Sequence, residues 1–501
     1  MAQTGGAPAP ERIGGADFDG LGGEEKVPII VTKAPTKRST AKLVQHVSNF
    51  ALTRAEMLRV TPAHRVLWGV GSAVRGGAYS QDAYIYSTPA THISQFWTHS
   101  WHGGPYCKIA VLHLVCSGLA ALACGTLAVA VSLVPLDRMG ASTLWSLLVG
   151  LLVSSLALLT WRPSVKVFFD KLCIAQHDAK LQVEGVVNVG ACVKNSESML
   201  LCWDSTFFGR LWCVVEVAAF LKTHHDPAAL RIRPTTWGPT SIVLFLTFWA
   251  WTGMSQITGS VIIGDIEWEP FSLALVFSAA NAVNHMLSMS FIAHFWRSHL
   301  RDLDMACTQL SDFSFKRDVS CHCCAIGHIH PVTGRPMACD HETIRECLCI
   351  WFGSVEEFDV IMRDRMAGVF QKSFCRHPLP YHWIVGATTP TLWVAMCNVF
   401  QSMAVGTFPF LLLFANLAYW LAVFPVLLHL ELKLAHLLRR RRRFFWQEIV
   451  VNIALAFAGS IGFAIYLIIE AAGIVMLGDP MKGAAATSLL WAVVAVYVWC
   501  T

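Results

Sequence analysis

The sequence predicts a mainly α, polytopic helical membrane protein of about eight spans that carries a small cytosolic α/β module. Three observations lead there. Of 501 residues, 54% are hydrophobic and only 14% charged, where soluble domains are about one quarter charged, and mean hydropathy is +0.50. The apolar residues gather in blocks of the roughly 20 residues a helix needs to cross a hydrocarbon core of about 30 Å. Lys and Arg residues concentrate in every second loop between those blocks. The same figures exclude a water-soluble globule, a disordered chain, collagen and a coiled coil.

In chain order the blocks are 109–134, 142–161, 242–263, 271–295, 383–404, 408–430, 449–477 and 485–499, with a soft boundary between the fifth and sixth. Basic residues mark the cytosolic loops. One side receives Lys26, Lys33, Lys37, Arg38, Lys42, Arg54 and Arg59, then Arg162, Lys166, Lys171, Arg231 and Arg233, then Arg297, Arg301, Lys316, Arg317, Arg363 and Arg365, then the arginines 439–443. The other side receives Arg138, Lys482 and the acids Asp265, Glu267 and Glu269. Eight spans then place both termini in the cytosol. The net charge of +5 orients the chain on its partner, the lipid bilayer, and is no sign of nucleic-acid binding. The arginines 439–443 read as a topology anchor or as an anionic-lipid site.

Subtracting the spans organises the rest. Residues 1–40, rich in Gly, Ala, Pro and Thr, read as disordered, and Asp17, Asp19, Glu24 and Glu25 before any apolar run fit neither a signal peptide nor a transit peptide. Residues 41–107 are cytosolic, and the amphipathic stretch 42–60 suits a membrane surface or a face of the soluble module. A membrane hairpin (108–161), an α/β module (162–238), a second hairpin (239–295), a Cys/His-rich cytosolic segment (296–382) and four final spans (383–501) follow. Seventeen cysteines scattered through such a chain read as reduced thiols.

Within 162–238, Val165-Lys-Val-Phe-Phe-Asp170 and Glu197-Ser-Met-Leu-Leu-Cys-Trp203 read as strands separated by a helix over 181–194. A helix over 207–221 and a last strand, Leu230-Arg-Ile-Arg-Pro234, complete a parallel pattern whose active residues belong near strand C-terminal ends.

Asp170-Lys-Leu-Cys-Ile, the stretch Ser196 to Trp203, Arg210-Leu-Trp-Cys-Val-Val-Glu216 and the upstream Phe96-Trp-Thr-His-Ser-Trp101 together resemble a Toll/interleukin-1 receptor (TIR) domain. Their order around a membrane hairpin is similar to that in a group of multi-pass proteins of unicellular algae, a likeness of architecture and not of activity. The TIR-like match covers about 90 soluble residues, below the common domain size of about 100 to 150. It implies a truncated flavodoxin-like sheet in which the strands beginning near Ile93, Val165, Glu197 and Leu230 take the order second, first, third, fourth, with two spans in place of the first crossover helix.

The resemblance also supplies functions. It implies signalling or assembly through self-association or TIR-like partners. In enzymatic TIR domains the glutamate of the Trp-Cys-x-x-Glu helix cleaves NAD, and Glu216 holds that position, with His99, Asp170 and Trp212 as candidates to bind NAD as substrate. A carboxylate there would stabilise an oxocarbenium-like transition state; alternatively Glu216 pairs with Arg210, and Trp212 and Cys213 are core. Independently of the resemblance, Cys321, Cys323, Cys324, His328, His330 and Cys339, with His341 nearby, form a Cys/His cluster suited to Zn²⁺. A quartet would take two of the first three cysteines, His328 or His330, and Cys339, linked through the turn Pro331-Val-Thr-Gly334; unliganded thiols in a hairpin are the other reading. Inside the spans, Asn281, Asn284, His285, Asn398 and Glu470 open a transporter or channel reading, or serve as hydrogen bonds between helices.

Overall fold

The computed structural model describes residues 37–75, 83–262, 270–329, 336, 338–375, 378–404 and 410–500. The first 36 residues, the acids Asp265, Glu267 and Glu269, His330 and the turn 331–334 lie outside the described residues. The protein is mainly helical, at 76%, with one small mixed sheet.

Among the described residues the six strands are β1 (Arg59–Pro62), β2 (Thr88–Pro89), β3 (Gln95–His99), β4 (Lys166–Phe168), β5 (Met199–Trp203) and β6 (Leu230–Pro234), ordered β2-β1-β4-β3-β5-β6. The four parallel strands β4-β3-β5-β6 follow the order expected from sequence, with Phe96 beside both Phe168 and Met199. Every residue of β5 is buried, as befits a central strand of a parallel sheet covered on both faces. The antiparallel strands β1 and β2 were not foreseen. They are too short for an alternating pattern to register, and Val60-Thr61-Pro62 is their main local signal.

The longer helices include α1 (Lys37–Ser48), α2 (Pro105–Arg138), α3 (Thr143–Thr160), α4 (Leu211–Thr223), α5 (Trp237–Ile262), α6 (Pro270–Ser311), α7 (Asp340–Phe352), α8 (Val355–Phe370), α9 (Phe424–Leu437), α10 (Phe445–Leu477) and α11 (Pro480–Cys500). Helix α1 ends well short of residue 60 and packs on α7: Trp351 donates its indole N–H to the Ser48 carbonyl at 3.0 Å and stacks on Phe50 with centroids 4.8 Å apart. The helix expected over 181–194 is two short helices, Ala179–Val187 and Val189–Lys194, meeting at Asn188.

Among the described residues, five helices are long and apolar enough to cross a membrane: Pro105–Arg138, Thr143–Thr160, Phe410–Leu437, Phe445–Leu477 and Met481–Cys500. A bent pair, Tyr381–Ala387 and Thr389–Met403, meets the same test across a 55° break. Outward residues such as Leu119, Leu127, Leu152 and Met476 are exposed, a distribution suited to lipid and costly in water. Helices α5 and α6 are equally continuous but carry polar residues toward each other, as when Asn284 donates to Thr258 at 3.0 Å. Helix α6 runs 42 residues, about 63 Å at 1.5 Å per residue. It passes the span end expected at 295 because neither Gly nor Pro interrupts residues 296–311.

Candidate functional site

Strands β3 and β6 lead almost directly into α2 and α5, so the C-terminal edge of the sheet faces the base of the apolar helices. In open α/β sheets that edge is where ligands bind, in the crevice at the point where strand order reverses. Here the reversal lies between β3 and β5, and it is occupied from within. Lys108, in the first turn of α2 and 2% exposed, donates its ammonium to the carbonyls of Ser100 and Gly103 (the latter at 2.8 Å) and stands 3.4 Å from the Asp204 carboxylate that follows β5. Asp204 also accepts from the Thr206 amide at 3.0 Å, and Thr206 shares a hydroxyl contact of 2.6 Å with Ser100. Neither Lys108 nor Asp204 stands out in the sequence; a lone lysine at the head of an apolar span and an acid just past a strand are the faint signals they leave.

The sequence-expected residues divide across this sheet. Thr98 and His99 are neighbours in β3 and therefore point to opposite faces. On one face Thr98 donates its hydroxyl to Glu216 of α4. Burial pushes the Glu216 carboxyl up to about 8, with the Asp170 charge adding to the rise and the Thr98 bond opposing it. Glu216 is thus largely protonated at neutral pH. On the other face His99 is stacked on Phe169 (5.0 Å between centroids) and edge-on to Trp101 (4.5 Å), and burial lowers it to about 4. Asp170 bridges toward this second group, accepting the Trp101 indole N–H at 2.9 Å. Glu216 and His99 therefore do not share the cleft expected of them. Trp212 is placed elsewhere again, lining a small apolar cavity with Leu43, Val47, Val186 and Ile344 between α1, α4 and α7. Arg210 reaches the His102 ring at 3.0 Å.

The Cys/His segment is more convergent. Cys323, Cys324, His328 and Cys339 each bring a ligand atom to within 4.8 Å of the others. The short helix His322–Ala325 presents the first pair. His328 follows Gly327 in a left-handed turn, φ +59° and +67° respectively, a conformation that non-glycine residues adopt at some cost. Its amide donates to the Cys323 carbonyl at 2.8 Å, while its ring Nε2 is buried with no hydrogen-bond partner. Cys339 lies 3.6 Å, sulfur to sulfur, from Cys324. A second set, Cys321, Cys323 and Asp340, shares Cys323: the two sulfurs are 2.9 Å apart and the Asp340 amide donates to Cys323 at 3.3 Å. Burial lifts the Asp340 carboxyl to about 6. The cluster could hold a metal ion, and an orphaned buried imidazole among thiols is the observation that fits one.

No family model matches the chain, and no curated protein or solved structure proved similar to it.

His330 falls outside the described residues, and His341 turns away to stack on Phe315 at 4.7 Å. Asp340, absent from the sequence-derived ligand set, enters through its place beside Cys339. Of the polar residues in the apolar helices, Asn284 and His285 bond across to neighbouring helices, whereas Asn281 bonds back to the Phe277 carbonyl at 2.9 Å.

Proposed function

We propose that the chain is an integral multi-pass membrane protein, both termini cytosolic, whose TIR-like α/β module serves signalling or assembly through protein contacts, with a zinc ion bracing the Cys/His segment. The observation that carries this reading is the Lys108–Asp204 pair. It fills the crevice where a dinucleotide would lie and joins the sheet to α2, so that a partner bound to the module pulls on the bundle directly. A protonated Glu216 bonded to Thr98 further favours contact over cleavage, since a neutral acid does not stabilise an oxocarbenium ion. Exposed apolar side chains around the long helices, and basic residues gathered at their cytosolic ends, favour the membrane and its orientation. Three thiolates and an imidazole are the donors Zn²⁺ prefers, and Cys323, Cys324, His328 and Cys339 would hold it as a closed structural site.

The deciding experiment uses the full chain in lipid nanodiscs. Chemical cross-linking should capture self-association that depends on the module, and incubation with NAD should release no nicotinamide. Release that vanishes in Glu216→Ala would replace this reading with NAD cleavage. Elemental analysis should find about one zinc per chain, lost in Cys323→Ser.

A further inference from the structure

The helix bundle holds an acid and a base that the sheet and the metal cluster do not use. His285 of α6 and Glu431 of α9 are 2% and 5% exposed, and His285 Nε2 lies 3.7 Å from Glu431 Oε1. Ser460 of α10 completes the group. Its hydroxyl donates to the Ala456 carbonyl at 2.8 Å. The single hydroxyl proton is thereby committed, so the 3.0 Å contact between Ser460 Oγ and His285 Nδ1 needs the proton on Nδ1. A neutral His285 then turns the bare lone pair of Nε2 toward a carboxylate oxygen that has no hydrogen-bond partner of its own. Two acceptors facing each other in a dry interior cost free energy. One proton placed between them resolves this, as a carboxylic acid facing an imidazole or as an imidazolium facing a carboxylate.

The surroundings are built for that proton. Gly459 makes room for the carboxyl, since a Cβ there would collide with it. Phe463 stacks on the imidazole at 5.1 Å and Trp251 of α5 meets it edge-on at 6.2 Å; neither brings a titratable group. Along α10 the residues Glu448, Asn452, Ser460, Phe463, Tyr466 and Glu470 recur at helical spacing, and Tyr466 interacts with Glu470. Ser460 is twelve residues, about 18 Å, from Glu448 and ten residues, about 15 Å, from Glu470. The pair therefore sits midway along that ladder. At its cytosolic end Arg297 of α6 is bonded to Glu448 at 2.6 Å and to Asn452 at 2.8 Å.

We propose that His285 and Glu431 form a proton-binding site in the middle of the bundle, loading and releasing one proton as a unit. Loading puts the proton on Glu431 Oε1, facing His285 Nε2, since the neutral pair is the cheaper one in an apolar interior; release returns it to water and leaves the carboxylate charged beside a neutral imidazole. Charged side chains within spans commonly mark proton or ion pathways, and this inference goes beyond assembly while resting on the reading of these helices as membrane spans.

The test is pH-difference infrared spectroscopy on the full chain in nanodiscs, whose formation reports the membrane reading separately. The difference between wild type and Glu431→Gln should contain a protonated-carboxyl band that disappears as pH rises, the bands of other buried acids such as Glu216 and Asp340 being common to both. His285→Phe should move its midpoint by at least about one pH unit, because the imidazole helps set the proton affinity of its neighbour. Titrating carboxyl bands that are the same in wild type and Glu431→Gln would overturn the proposal. Should that variant not assemble, Gly459→Ala decides: crowding the carboxyl must shift the midpoint, and an unchanged midpoint refutes the site.

Discussion

Glu216 and Glu431 are both carboxyls withdrawn from bulk water, one under a β-sheet and one among apolar helices, and their neighbours differ in kind. Glu216 receives a hydroxyl donor from Thr98, in the adjoining strand. Glu431 faces a base, with no donor of its own. A donor settles an acid in place, whereas an acceptor 3.7 Å away makes its occupancy by a proton the variable. The sheet thus uses its buried polar groups as fasteners, Lys108–Asp204 among them, whereas the bundle sets a buried acid opposite a buried base.

The largest effect expected from breaking this contrast lies at the base of the bundle. Arg297 is fully buried and holds Glu448 together with the Leu438 carbonyl, the latter at 2.9 Å. Arg297→Gln leaves those acceptors without their cation and should destabilise the protein by about 3 to 5 kcal/mol, seen as a lowered thermal unfolding midpoint in detergent. A loss under about 1 kcal/mol would mean that the bundle's charges are no better fastened at its base than at its centre.

A smaller effect concerns pH and separates the two faces of the sheet. Glu216 titrates at about 8 in the fold, above its ordinary 4.5. Its contribution is therefore complete below pH 4.5 and is lost as pH rises toward 8, with a slope of at most about 1.4 kcal/mol per pH unit. Glu216→Gln should flatten stability over this window. His99 acts in the opposite sense: lowered from 6.5 to about 4, it contributes fully above pH 6.5 and loses that contribution as pH falls toward 4. His99→Gln should remove the acid limb and leave the alkaline one, which unfolding midpoints collected from pH 4 to 9 would resolve. Thr98→Val, which deletes one hydroxyl donor, should cost about 1 kcal/mol near pH 7 and move the Glu216 window upward.

How much of this was legible in sequence follows from how each feature is encoded. Strand order showed because Asp170, Trp203 and Pro234 close short apolar runs, and parallel sheets have few arrangements. The apolar helices showed through length alone. The cluster of Cys323, Cys324, His328 and Cys339 showed because four soft ligands within seventeen residues are rarely accidental. What stayed hidden depends on register and distance. The separation of Glu216 from His99 turns on which face each strand residue takes. Glu431 lay just past an expected span end at 430, where an acid looks like an interfacial residue, and only the packing of α6 against α9 and α10 gives it His285 as a neighbour.

The smallest effect sharpens the point about fastening. Lys316 and Glu356 stand 2.6 Å apart, the same separation as Arg297 and Glu448. The first pair keeps 61% and 68% of its side chains exposed; the second keeps 0% and 16%. Water and salt screen the exposed pair, and two long side chains give up rotamer freedom to form it. Lys316→Ala should accordingly leave the unfolding midpoint unchanged within error at physiological salt, although it removes a contact as short as the one at Arg297. A measurable drop would show that α8 is held to the segment before the Cys/His cluster by charge, and would make separation rather than burial the better guide to which ion pairs matter in this protein.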